Sequence, residues 1–132
     1  MTTERLPLTI PTSRTLKGPI FRKQGDEVIV EYDCEEDDGS LKLSILVFHE
    51  PLDFEYRQIS ACSASDVSSS KEMLCLSQSE RLIAIRDRWR EFVGSDEWQA
   101  KQGGADRFRH FKIFFDDAGC IDVVASGFRI LE

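Results

Sequence analysis

The chain has 132 residues, 41% of them hydrophobic and 31% charged, and a formal net charge of -7. This length predicts a single globular domain over residues 1–132, with a core that needs no disulfides. The acidic balance argues against general nucleic-acid binding and against binding to an anionic membrane. No apolar run approaches the ~20 residues of a membrane span, and the N-terminus lacks the apolar region of a secretory signal. We therefore expect a cytoplasmic protein.

The N-terminal stretch predicts two short extended segments. Leu6, Leu8 and Ile10 alternate with polar residues and prolines, which is typical of a strand confined to a sheet edge. A second extended piece is expected over residues 19–23, before Gly25 interrupts it.

Residues 26–48 predict a β-hairpin about a two-residue Asp38-Gly39 turn. Folding about that turn sets Val30 opposite Val47. The predicted core face of the hairpin is completed by Tyr32, Cys34, Leu43 and Ile45. The acidic tip has three interpretations: a solvated turn, a surface presented to a basic partner, or a metal loop, which lacks the EF-hand pattern.

Three further segments lead to the helix. Residues 53–59 predict the third strand of a meander, with Phe54 and Tyr56 facing the core. Residues 60–70 are rich in serine and predict a loop. Residues 73–76 predict either a short strand or an approach to the helix.

The clearest helix is predicted over about residues 78–93, where apolar residues recur at intervals of three and four. Ser77 and Glu80 have capping-box spacing at its start, and Gly94 is a suitable C-cap. A second helical turn is expected around residues 97–99. Trp89 and Trp98 are expected to anchor these helices to a sheet.

Residues 108–130 predict a second hairpin, which turns through the aspartates before Gly119. Its core face is predicted to hold Phe111, Ile113, Phe115, Ile121, Val123 and Ala125, with Phe115 opposite Ile121. The other face is unusually apolar. Either another part of the chain covers it, or it is a patch that binds a partner.

No catalytic or metal-binding motif accompanies these elements, and we expect no cofactor. The four cysteines lack a CxxC pair and predict neither zinc binding nor disulfides. The chain is therefore predicted not to be an enzyme. The candidates for the alternative, a ligand-binding or weakly catalytic cleft between sheet and helix, are His110, Cys120 and Asp122.

Taken together, the elements predict an α+β fold: an antiparallel sheet of about five to seven strands with one main helix on one face.

Part of the C-terminal third resembles small bacterial immunity proteins of polymorphic or contact-dependent toxin systems. The likeness lies in Trp89-Arg90-Glu91-Phe92-Val93-Gly94, in Trp98, and in the closing FFDDAGCIDVVASG segment. The resemblance implies a small cytosolic protein that binds and inactivates a cognate toxin without doing chemistry itself. It transfers no residue roles.

The leading hypothesis is therefore a protein-binding module, an immunity-type inhibitor of a basic toxin, acting as a monomer or homodimer. A third hypothesis, besides the protein-binding module and the ligand-binding or weakly catalytic cleft, is an accessory subunit of an oligomer. In the leading hypothesis, acidic side chains would steer the association of the basic toxin. The candidate partner-binding residues are Glu35, Glu36, Asp37, Asp38, Phe108, His110, Phe114 and Phe128.

Overall fold

The computed structural model describes residues 3–88 and 107–131, which form two antiparallel sheets and a helix. The strands are β1 (Thr3–Pro7), β2 (Ile20–Gln24), β3 (Glu27–Glu35), β4 (Leu41–His49), β5 (Asp53–Gln58), β6 (Glu72–Leu76), β7 (Arg109–Phe115), β8 (Gly119–Ala125) and β9 (Gly127–Leu131). Helix α1 occupies residues 80–88 of the described part. Within that part, no helix has the length and apolar content that crossing a bilayer requires.

The predicted single sheet of five to seven strands is wrong in its layout. The nine strands of the described residues divide into a five-stranded sheet, in the order β1-β6-β7-β8-β5, and a four-stranded sheet, in the order β2-β3-β4-β9. The main core lies between the two sheets and joins residues of both, including Tyr32, Phe48, Phe115 and Ile121. The predicted combination of antiparallel sheet and helix holds, but the sheets form two layers.

Helix α1 packs on the face of the five-stranded sheet that points away from this main core. Leu82 and Ile85 form a second buried cluster with Phe108 and Val124. The predicted helix cap lies two residues too early in the sequence. The Ser79 hydroxyl accepts the Leu82 N–H at 3.0 Å, so Ser79 rather than Ser77 caps the helix. Trp89, Trp98 and the predicted helical residues 89–93 and 97–99 lie outside the described residues.

The β3–β4 hairpin differs from its predicted register by one residue. Val30 lies opposite Leu46, and the loop is closed by a hydrogen bond from the Glu36 N–H to the Ser40 carbonyl at 2.8 Å. Three residues therefore span the turn, with Gly39 at its left-handed position (φ 86°). Because side chains alternate along a strand, this slip moves Leu46 into the core and leaves Leu43 70% exposed.

The C-terminal segment is also divided differently from its prediction. Ile113 lies opposite Ile121, a shift of two residues that keeps the predicted apolar set on the core face. The predicted hairpin, however, does not continue to residue 130. The chain bends at Ser126 and enters the four-stranded sheet as β9, where Phe128 pairs with Phe48.

The predicted short strands are largely confirmed, but one joins the other sheet. β1 lies at an edge but ends at Pro7, before Leu8 and Ile10 of the predicted strand. β2 occupies the expected place, and β6 forms the strand that was one of two alternatives for residues 73–76. Phe54 and Tyr56 pack against the main core. β5 pairs with β8 instead of following β4 in a meander. The serine-rich segment contains two short 3-10 turns, Ile59–Ala61 and Ala64–Asp66.

Candidate functional site

The acidic tip between β3 and β4 is an ordered turn. Both the backbone N–H and the hydroxyl of Ser40 donate to Asp38 Oδ1, at 2.9 and 2.6 Å. The hydrogen bond from the Ser40 hydroxyl is the main reason that the pKa of Asp38 is lowered. Asp37 and Asp38 are exposed, so their charges reach solvent and any approaching molecule.

Two basic side chains partly balance these carboxylates. Arg14 donates to Asp37 at 2.7 Å and to Glu35 at 3.4 Å, and Lys42 lies 3.5 Å from Glu36. These are exposed ion pairs, and such pairs contribute only about 0–1 kcal/mol each. A partner with its own cations could therefore replace Arg14 or Lys42 at small cost.

A second pair of carboxylates lies at the same end of the sandwich. The Thr15 N–H and hydroxyl both donate to Asp117, at 2.9 and 2.6 Å. The preceding residue, Arg14, donates to Asp37 of the β3–β4 turn, so the two turns lie side by side. The pKa of Asp116 is raised, mainly because the carboxyl is partly buried and secondly because the Asp117 carboxylate repels its negative charge. We call this surface the acidic end; it comprises Glu35, Glu36, Asp37, Asp38, Asp116 and Asp117.

The acidic end carries much of the charge of the chain. Its six carboxylates face Arg14 and Lys42, which leaves a formal excess of four negative charges in a chain of net charge -7. A local excess of negative charge raises the rate at which positively charged molecules associate with that surface.

An exposed apolar surface adjoins the acidic end on the four-stranded sheet. We call it the apolar face; it comprises Ile20 (52% exposed), Leu41 (45%), Leu43 (70%) and Leu131 (42%). Leu41 lies directly opposite Glu35 in the β3–β4 ladder, so the two surfaces are continuous. A pocket of about 100 Å³ opens here and is lined by Lys17, Gly18, Ile20, Glu31, Tyr32, Asp33 and Leu43.

A chain of buried hydrogen bonds joins α1 to the five-stranded sheet. His110 Nδ1 lies 2.7 Å from the Ser79 hydroxyl, and His110 Nε2 lies 2.6 Å from Asp122 Oδ1. All three residues are buried. Each ring nitrogen of His110 therefore has a hydrogen-bond partner. Because the Ser79 oxygen also accepts the Leu82 N–H, this arrangement fixes the start of the helix on the sheet.

The hydrogen-bond chain continues into a cluster of charged groups. Arg57 donates to both Asp122 and Asp66, and Lys112 Nζ lies 3.0 Å from Asp66. Burial alone would raise the pKa of Asp66, but hydrogen bonds from Ser63, Lys112 and Arg57 hold it well below its ordinary value. Burial likewise opposes the ionisation of Asp122, and the His110 hydrogen bond lowers its pKa. Two carboxylates and two cations therefore share one site.

The predicted site residues fall into two groups in the structure. Glu35, Glu36, Asp37 and Asp38 lie together at the surface. The four residues predicted on the outer hairpin face do not join them: Phe108, His110 and Phe114 are buried, and Phe128 packs between the sheets beside Phe48 and Phe111. Helix α1 covers Phe108, as one of the two interpretations of that face expected.

Several residues of interest were missed by sequence reasoning. The apolar face was hidden by the register error at Leu43, and the contribution of Asp116 and Asp117 depends on two turns meeting in space. Ser79 differs from Ser77 by only two positions, and the capping pattern favours the wrong one. Among residues 3–88 and 107–131, no group of three or more His, Cys, Asp or Glu side chains could hold a metal ion.

No protein-family model, curated protein or solved structure matches this chain.

Proposed function

We propose that the chain is a protein-binding module whose acidic end and adjoining apolar face receive a cationic protein, most concretely a toxin that the chain inhibits. The single observation that supports the proposal is the continuity of the two surfaces, at Leu41 and Glu35. Protein interfaces combine an apolar centre with a charged surround, and this arrangement supplies both.

The two surfaces would act at different stages of binding. The carboxylates of the acidic end attract basic side chains from a distance and raise the association rate, which falls as salt is added. Leu43 and the pocket beside it then accept an apolar side chain of the partner, which slows dissociation. The expected epitope is therefore an apolar residue flanked by lysine or arginine.

The proposal is tested by asking whether the chain relieves the toxicity of a protein encoded beside its own gene. Each flanking gene product is expressed in a bacterial host with and without this chain. One product is expected to stop growth alone and to be tolerated with the chain. The double variant Glu36→Gln/Asp37→Asn should protect poorly. A flanking toxin that the chain binds but does not inhibit, or one that is relieved equally by the variant, would contradict the proposal.

The matched control removes the same number of charges elsewhere. Glu4 and Asp26 are exposed and lie outside the acidic end. The variant Glu4→Gln/Asp26→Asn should protect as well as the unmodified chain. Equal loss in both double variants would point to net charge, and not to the acidic end, as the determinant.

A second candidate function rests on the Ser79–His110–Asp122 hydrogen bonds. A serine hydroxyl that donates to a histidine held by an aspartate is the arrangement used for nucleophilic acyl transfer. Here Ser79 is only 6% exposed and its oxygen already accepts the Leu82 N–H, which favours the helix-capping role. Labelling with a fluorophosphonate separates the two: modification of Ser79 would support a hydrolase, and an unlabelled chain supports the binding module.

A further inference from the structure

A pocket opens along one side of the sandwich, where the edge strands β2 and β5 of the two sheets come together. Its volume is about 310 Å³, at the lower end of the range of pockets that hold small ligands. Five residues line it: Phe21, Arg22, Lys23, Val28 and Phe54. The pocket therefore combines an apolar, aromatic wall with two basic residues.

The aromatic wall of the pocket comes from both sheets. The centroid of the Phe21 ring lies 5.1 Å from that of Phe54, with the rings at 62°, and 5.1 Å from that of Tyr56. Phe21 and Phe54 pack against the main core, yet both are only half-buried. Each of these two rings therefore keeps part of its surface open to the pocket.

The two basic residues of β2 point to opposite sides of the sheet. Lys23 lies directly opposite Val28, a buried residue of the main core. Because side chains alternate along a strand, Lys23 shares the inner side of the sheet with Phe21, two residues earlier. Arg22 points to the outer side, where it pairs with Glu31. Lys23 is therefore the cation that the pocket presents to a ligand.

The ammonium group of Lys23 is available for such a contact. Lys23 is exposed, and within residues 3–88 and 107–131 no carboxylate forms an ion pair with it. Two carboxylates of the neighbouring strands are engaged elsewhere, since Glu31 pairs with Arg22 and Asp53 pairs with Arg81 of helix α1. An apolar pocket with one unpaired cation at its rim fits an organic anion.

We propose that this pocket binds a small aromatic carboxylate, with its ring against Phe21 and Phe54 and its carboxylate on the Lys23 ammonium. The two phenylalanine rings offer edge and face contacts to a planar apolar group. One unpaired positive charge matches one negative charge, so a monocarboxylate is the expected class. Because the pocket is small and open to solvent, the expected dissociation constant is in the millimolar range.

This pocket is separate from the acidic end. Lys23 pairs with Val28 near the start of β3, whereas Glu35 of the acidic end closes the same strand. Seven residues of extended chain separate Val28 from Glu35, which corresponds to roughly 23 Å. Ligand binding here therefore does not depend on the proposed toxin interaction.

The test titrates 2-naphthoate into the unmodified chain, labelled with nitrogen-15, and follows the backbone amide signals by NMR. Saturable shifts are expected at residues 21–23, 28 and 54. The neutral probe 2-naphthamide keeps the rings without the charge. It should bind about fivefold more weakly, the upper end of what an exposed ion pair contributes. Equal affinity for the two probes, shifts centred on other residues, or no saturable shift up to about 10 mM would overturn the proposal.

Variants test the role of the ammonium group. Lys23→Gln should bind 2-naphthoate about as weakly as the unmodified chain binds 2-naphthamide. The matched control Lys71→Gln removes another exposed lysine and should bind like the unmodified chain.

Lysine on an edge strand also discourages pairing with a strand of another molecule. If Lys23 served only that purpose, Lys23→Gln would self-associate and still bind 2-naphthoate normally, and the proposal would be wrong. Sedimentation of the variant and its titration separate the two roles. The comparison of the two probes on the unmodified chain decides the proposal even where Lys23→Gln is unstable.

Discussion

His110 Nε2 lies 2.6 Å from Asp122 Oδ1, and His110 Nδ1 lies 2.7 Å from the Ser79 hydroxyl, so one buried imidazole joins the start of α1 to two neighbouring strands. A buried polar group left without its partner costs about 1–3 kcal/mol. Removal of His110 takes one buried hydrogen bond from each of Ser79 and Asp122, which keep their bonds to the Leu82 N–H and to Arg57.

The first prediction is that His110→Ala and Ser79→Ala lower stability non-additively. His110→Ala should lower the free energy of unfolding by about 3 kcal/mol, and Ser79→Ala, which also loses the helix cap, by about 1–2 kcal/mol. The double variant should cost less than the sum of the two, because both changes break the same hydrogen bond. Urea unfolding of the four proteins measures this coupling. Additive losses would show that the two side chains act independently.

The second prediction concerns acid. Asp66 and Asp122 have pKa values lowered in the folded chain, so their ionised forms favour folding above about pH 4, the ordinary range for aspartate. That contribution is lost as the pH falls through 4 towards the lower folded values. Asp66→Asn should therefore be less stable at pH 7 and lose less stability between pH 5 and pH 3. The exposed control Asp26→Asn should follow the unmodified chain.

The third prediction tests the register of the β3–β4 hairpin. Leu46 is fully buried and Leu43 is 70% exposed. Leu46→Ala should cost about 2–5 kcal/mol of unfolding free energy, because it leaves a cavity between the sheets. Leu43→Ala should change stability by less than about 0.5 kcal/mol. Equal losses, or a larger loss at Leu43, would favour the register that the sequence pattern first suggested.

This hairpin shows where sequence reasoning reached its limit. Asp38-Gly39 correctly marked a turn, and Gly39 does adopt a left-handed conformation. The pattern did not reveal whether two or three residues span that turn, because both Leu43 and Leu46 belong to apolar sets with a spacing of two. One residue of loop length then decided which set faced the core. In the C-terminal hairpin the shift was two residues, so the predicted core face survived.

Long-range relationships were beyond the sequence pattern for a different reason. The strands were largely found, but their partition into two sheets depends on pairings such as β5 with β8 and β4 with β9. The same holds for the acidic end, where Thr15 joins two turns that are far apart in sequence. The carboxylates of the first tip were predicted as a site because they are adjacent in sequence. The apolar face was not predicted, because it is assembled from three strands.

The fourth prediction concerns two turn glycines. Gly119 has a φ of 153°, and a Cβ atom there would lie 2.0 Å from the Arg57 carbonyl oxygen. Gly119→Ala should therefore cost about 3 kcal/mol or more, since the backbone of β5 must move. Gly39 also has a positive φ, but a Cβ there meets nothing within 4 Å. Gly39→Ala should cost only about 1 kcal/mol, the conformational term alone. Equal losses would show that β5 does not crowd Gly119.

The proposed role of the acidic end is to speed association with a cationic partner, so the association rate should depend on its carboxylates. Binding of the proposed toxin partner, once the growth test has identified it, is followed by stopped-flow fluorescence at several salt concentrations. Glu36→Gln/Asp37→Asn should associate about tenfold more slowly at low salt, and its rate should depend less on salt. The control Glu4→Gln/Asp26→Asn should match the unmodified chain. Indistinguishable rates and salt slopes for all three proteins would show that the acidic end does not guide the partner.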